Sequence, residues 1–114
     1  MKFRQVKTVH LVMMSRPMII ACDFDGTIQV TDGKFNRQLL AFLTARQRSG
    51  DTVILWTCRE GIRLRDALQF CMANGFRPNY VNQNCPEGIR RMGHDSRKIF
   101  ADIYIDDKNA AMRW

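Results

Sequence analysis

The stretch Met18-Ile-Ile-Ala-Cys-Asp-Phe-Asp-Gly-Thr-Ile28 runs five apolar residues into two carboxylates, Asp23 and Asp25, followed at once by Gly26 and Thr27. A continuous apolar run of this kind fits a strand buried on both faces, as central parallel strands are. Two like charges at its end fit either a solvated turn or a place where something positive binds.

Working outward, the chain supplies partners for such a strand. "DTVILW" (51–56) reads as a second buried strand, "PNYVNQN" (78–84) as a weaker one and "ADIYID" (101–106) as a stronger one. Between them, 34–50 reads as a helix with Phe35, Leu39, Leu40, Phe42 and Leu43 on one face and Gly50 as its stop. Residues 61–75 read as a second amphipathic helix, capped by Gly75. This alternation predicts an α/β fold, a Rossmann-like parallel sheet with crossover helices. In such sheets ligands gather outside the carboxyl ends of the strands. That is where the polar residues stand: Asp23 and Asp25 after the first strand, Thr57 after the second, Asp106 and Asp107 after the last.

The bulk properties are those of one folded domain. The 114 residues are 46% hydrophobic and 25% charged, enough for a single modest core and unlike a disordered chain. No apolar run approaches the ~18 residues that would span a bilayer. Lys2, Arg4 and Lys7 precede "VHLVMM", too short for a signal-peptide apolar region. The expectation is therefore a cytoplasmic protein with no membrane partner. Residues 1–17 are expected to form an N-terminal extension, either flexible or serving as an edge strand, and 18–114 the core domain. Cys22, Cys58, Cys71 and Cys85 form no CxxC pair, and His10 and His94 stand alone, which argues against zinc and for reduced, mostly buried thiols. Eighteen Lys and Arg against 11 acids give a net charge of +7, favouring anionic partners: phosphate esters, nucleotides or nucleic acid.

Carboxylates that converge on one sheet edge repel unless a cation or a shared proton intervenes. Oxygen ligands of this hardness select Mg²⁺ or Ca²⁺. An EF-hand loop begun at Asp23 would need glycine at Ile28 and glutamate at Lys34, so it is excluded. Gly88 to Gly93 has P-loop glycine spacing, but His94 and Asp95 stand where Lys and Ser or Thr belong, and no GxGxxG follows the first strand. What remains is a carboxylate acting as nucleophile towards phosphorus.

Asp23-Phe24-Asp25-Gly26-Thr27 resembles the first signature of the haloacid dehalogenase (HAD) superfamily of phosphotransferases. Thr57 closing "VILWT" resembles the second, Lys98 the third, and Asp106-Asp107 the fourth, all in the family's order. Receiver domains use similar groups in another order and need a mid-chain Asp at a strand end, whereas Asp51 opens a strand and Asp66 lies in a helix. The resemblance spans Met18 to Asn109. It implies that Asp23 attacks the phosphoryl group and that Asp25 protonates the leaving alkoxide and then activates water. It also implies that Asp23, the Asp25 carbonyl and Asp106 hold Mg²⁺, and that Thr57 and Lys98 contact phosphoryl oxygens. Asp107 would position Lys98 or a metal-bound water, and Gly26 would turn the chain and offer backbone N–H donors to phosphate. Thr27, Arg59 and Asn109 stand beside these positions as supporting residues, Arg59 with an ion pair to Glu60 as its alternative; Arg97 and Lys108 compete with Lys98.

The chain departs from the family in having only "QVTDGKFNRQLL" between the first signature and the body of the first helix, and Cys85 to Arg97 has room for a loop or short helix only. The expectation is a capless core, short at its C-terminus, with an open site that suits a large phosphorylated partner or a lid from another subunit. The function this implies is Mg²⁺-dependent hydrolysis of a phosphate monoester through an aspartyl-phosphate on Asp23. Two rivals stand beside it. One is a nucleic-acid or nucleotide end phosphatase, with Arg63, Arg65, Arg77, Arg90, Arg91, Arg97 and Lys98 lining the approach, although no aromatic–basic interleaving accompanies them. The other is a non-catalytic phosphate- or Mg²⁺-binding protein on the same scaffold.

Overall fold

The computed structural model describes residues 17–31 and 33–107. Its centre is β1 (Ile19–Cys22), every residue of which is buried. Parallel partners lie on both sides: β4 (Thr52–Leu55) on one, β6 (Ile103–Ile105) on the other, with β5 (Tyr80–Val81) beyond β4. The order β5-β4-β1-β6 with all pairs parallel is the Rossmann-like α/β arrangement expected from the strand–helix alternation. The register sets Ile20 between Val53 and Ile103, and Cys22 between Leu55 and Ile105.

Side chains alternate across a sheet, so each strand feeds two cores. Ile20, Cys22, Val53, Leu55 and Ile105 join the larger core, with Leu39, Leu40 and Leu43 of α1 (Arg37–Arg48) and Ala67 and Cys71 of α2 (Gly61–Ala73). Ile19, Ala21 and Ile54 face the smaller core, shared with Cys85, Ile99 and Ala101. There α3 (Pro86–Met92) lies close: a Cβ on Gly88 would stand 3.7 Å from Ile19 Cδ1 and 3.5 Å from Phe100. Three of the four thiols are buried and all are free, Cys58 being exposed.

The first helix begins later than its apolar pattern suggests. Residues 34 and 35 belong instead to an antiparallel hairpin, β2 (Gln29–Thr31) with β3 (Lys34–Phe35). Asn36 is the reason: its Oδ1 accepts from the Leu39 N–H at 3.0 Å, an N-cap that starts the helix at Arg37. Phe35 still reaches the larger core from the hairpin, edge-on to Phe70 at 5.7 Å. The end of the helix is as expected, with Ser49 as cap and Gly50 at φ +99°.

At the amino ends of the strands two carboxylates fasten the backbone. Asp51 accepts from the Met18 N–H (2.8 Å) and from Arg46 Nε (2.6 Å). Asp102 accepts from the Ile19 N–H (2.8 Å) and from Arg91 Nη1 (2.9 Å). Among the described residues no helix is long and apolar enough to cross a membrane. The N-terminal extension expected over 1–17, with its edge-strand alternative, lies outside the described residues except for Pro17.

Candidate active site

The sheet ladder continues one step past the carboxyl ends of the strands. Asp23 donates its N–H to the Ile105 carbonyl and Trp56 donates to that of Cys22, both at 2.9 Å. The first apolar run is therefore a rigid rod that delivers Asp23 to the sheet edge beside the residues following β4 and β6. A cleft of about 420 Å³ opens there, lined by Asp23, Asp25, Thr57 and Cys58 together with Trp56, Asp106 and Asp107. Carboxylate oxygens of Asp23, Asp106 and Asp107 all lie within 4.8 Å of one another. Burial lifts the Asp23 carboxyl above its ordinary range, with Asp106, Asp107 and Asp25 adding repulsion and a hydrogen bond from the Phe24 N–H opposing them. Three oxygen donors, two half-buried and that of Asp107 exposed, crowd like charges into a site that a hard divalent cation would relieve.

The turn after β1 is tight. Thr27, Ile28 and Gln29 all donate their N–H groups to the Phe24 carbonyl, at 3.2, 3.0 and 3.0 Å. Gly26 takes φ +78°, and a Cβ there would lie 2.6 Å from Asp107 Oδ2, so glycine is required both by conformation and by space. Its N–H donates to the Gln29 carbonyl at 2.8 Å. In this structure that N–H closes the turn, where the resemblance had it offered to phosphate. Thr27 is buried, and its Oγ1 accepts from the Asp107 N–H at 3.0 Å, tying the turn to the end of β6.

Thr57 is buried at the floor of the cleft, its backbone N–H held by Asn82 Oδ1 at 2.8 Å and its Oγ1 accepting from the Arg59 N–H at 3.1 Å. The hydroxyl proton is left to donate elsewhere. Asn82 adopts φ +53° to make this contact, a conformation asparagine tolerates better than most residues. Nothing in the spacing of "PNYVNQN" marks Asn82 as a support for Thr57.

Arg59 does not pair with Glu60, which stands at the N-cap position of α2 without a side-chain capping bond; it grips Asp25. Its Nη2 lies 2.7 Å from Asp25 Oδ1 and its Nε 3.0 Å from Oδ2, a two-pronged contact, while the guanidinium carbon sits 4.8 Å from the centroid of the Phe24 ring. The pairing holds the Asp25 carboxyl below its ordinary range. This conformation favours the carboxylate form of Asp25. That suits a base; service as an acid requires it to part from Arg59 and take up a proton.

Lys98 does not line the cleft. Its Nζ sits 5.3 Å from the centroid of the Tyr104 ring, and Tyr104 packs against Trp56, with ring centroids 5.6 Å apart. Lys108 and Asn109 lie outside the described residues. The supposed basic approach is also divided. Arg63 is close enough to Asp25 to help hold it ionised, whereas Arg90 and Arg91 sit at the amino end of the sheet, beside Pro17 and Met18.

An α/β protein with an acidic cleft at the carboxyl edge of a parallel sheet is the class that fold and site define. No protein-family model matches the sequence, and no curated protein does. Among solved structures, a conserved protein coded by a locus of Bacteroides thetaiotaomicron is 35% identical, covering 84% of this chain and 80% of its own, with a TM-score of 0.68. This chain belongs to the same family as that bacterial protein.

Proposed function

We propose that this protein is a capless, HAD-like phosphate monoester hydrolase that requires Mg²⁺ and works through an aspartyl-phosphate on Asp23. The observation that carries the reading is the convergence of Asp23, Asp106 and Asp107 within 4.8 Å, in a cleft that also holds Asp25 and Thr57. The donor set suits Mg²⁺, which would screen the anionic nucleophile from an anionic ester. An Asp23 oxygen attacks phosphorus as the bond from phosphorus to the ester oxygen breaks. Protonated Asp25, released from Arg59, gives its proton to the departing alkoxide. Asp25, now a carboxylate, takes a proton from water as that water attacks phosphorus, breaking the acyl-phosphate bond and freeing Asp23. The Thr57 hydroxyl donates to a phosphoryl oxygen whose charge grows in flight. Lys98 takes part only if its ammonium leaves the Tyr104 ring.

The test is release of inorganic phosphate from a panel of sugar phosphates, nucleotides and end-phosphorylated oligonucleotides, with Mg²⁺ and with a chelator. Mg²⁺-dependent release that Asp23→Asn abolishes, with the circular dichroism spectrum unchanged, is the expected result. No release from any ester would favour the non-catalytic binding protein instead. Oligonucleotide turnover far above that of simple esters, and falling steeply with salt, would favour the nucleic-acid end phosphatase.

A further inference from the structure

The two faces of the sheet end differently at the carboxyl edge. By strand alternation, Ala21 and Asp23 point to the side of the smaller core, together with Ile54 and Trp56 of the adjacent strand and Tyr104 and Asp106 of β6. α3 reaches this face at its amino end, against Ile19 and Phe100. At the carboxyl end Trp56 remains 36% exposed, a large apolar ring on the wall of the acidic cleft. Because Ala21 on the central strand carries only a methyl group, the Trp56 and Tyr104 rings meet across it, 5.6 Å apart and tilted by 55°. Tyr104 is itself fixed, its hydroxyl donating to the Ile99 carbonyl and accepting from the Ala101 N–H at 3.1 Å. Lys98 sits over its ring. Trp56 is thus backed by a braced ring, with exposed surface beside the proposed nucleophile.

A partly exposed indole, backed by a braced ring and one strand over from the proposed nucleophile, is suited to a flat π-system attached close to the phosphate. We infer that Trp56, braced by Tyr104, is a substrate-binding platform, and that the substrate class is a phosphate monoester whose alcohol carries an aromatic ring, as in a nucleoside monophosphate. The inference rests on the phosphatase reading for the position of the phosphate, and the test separates the two.

Adenosine 5′-monophosphate and ribose 5-phosphate present the same primary ester to the nucleophile and differ in the base, so the ratio of their kcat/KM values isolates the ring. The expected ratio is at least about fivefold in favour of the nucleotide, the size of one base–aromatic stack. Trp56→Ala should bring the ratio close to one, and Trp56→Phe should keep most of it. Binding is read independently of turnover. Trp56 and Trp114 are the two tryptophans of the chain, so Trp114→Phe makes fluorescence a report on Trp56 alone. Adenosine 5′-monophosphate should quench it, and ribose 5-phosphate should not. Equal turnover of both esters without quenching overturns the platform while the hydrolase reading stands. Quenching by the nucleotide without hydrolysis of any ester supports the platform while the hydrolase reading falls. Neither quenching nor turnover overturns both.

Discussion

The two ends of the parallel sheet use the same side chain in opposite ways. At the amino ends, Asp51 is buried and the Asp102 side chain nearly so, and each is bonded to a backbone N–H at the start of the first strand and to an arginine. Glu87 nearby is drawn down to about 2 by Arg90 and Arg91. At the carboxyl ends, Asp23, Asp106 and Asp107 face one another across less than 5 Å, within the 4.8 Å that encloses all three ligand atoms. The first arrangement compensates every charge and so serves the fold. The second leaves like charges crowded where burial raises the Asp23 carboxyl, a cost that folding alone gives no reason to keep. Paired acids at one end and crowded acids at the other separate what holds the protein together from what folding alone does not explain.

The contrast can be broken by mutation. Asp23→Asn should lower phosphate release by about a thousandfold or more, because no neighbouring group replaces the nucleophile; near-normal turnover in a Mg²⁺ assay would remove Asp23 from that role. Asp102→Ala should act on stability, costing about 1–3 kcal/mol in urea unfolding, since it leaves the Ile19 N–H without its acceptor and takes one of two carboxylates from Arg91, which keeps Glu87. A loss under about 1 kcal/mol would mean that the amino-end acids are not structural. Gly26→Ala should cost about 1–3 kcal/mol, through a positive φ and a Cβ driven into Asp107, and should weaken Mg²⁺ dependence at the same time.

Smaller effects sharpen the same comparison through pH. Asp23 has a raised carboxyl in the folded state, so the folded protein holds its proton more tightly than the unfolded chain. Stability therefore falls as pH rises from the ordinary carboxylate value through the raised one. In metal-free protein near neutral pH, Asp23→Asn should stabilise by up to about 1 kcal/mol, solvent screening included, and the gain should vanish below the ordinary range. Thermal unfolding at the two pH values checks this. Asp25 has the opposite sign: its lowered carboxyl contributes stability above the ordinary range, lost as pH falls through the depressed value. With its side chain 51% exposed, the contribution is about 0.5 kcal/mol at most, which Arg59→Ala should remove.

Much of the site is legible because strand ends are legible. The apolar runs before Asp23, Thr57 and Asp106 locate three strands, and the rule that ligands gather at their carboxyl ends brings those residues together. The hairpin at Gln29–Phe35 was less visible, since Lys34 and Phe35 continue the helical period and only the cap made by Asn36 separates them from it. Arg59 stands beside a motif position in either reading, but its partner is 34 residues away, a distance no local pattern spans. Asn82 and Trp56 give no signal of their own: one supports Thr57 from another strand, and the other matters because Ala21 is small and α3 lies at the far end of its face.

The sequence by itself determined the parallel α/β architecture and the carboxylates at its edge, because apolar runs and helical periods act over short stretches of chain. The tertiary structure alone decided which acids are paired and which are crowded, that Arg59 holds Asp25 ionised, and that Trp56 stands open beside Asp23. Those outcomes depend on distances between residues far apart in the chain, and such distances exist only once the strands have taken their register.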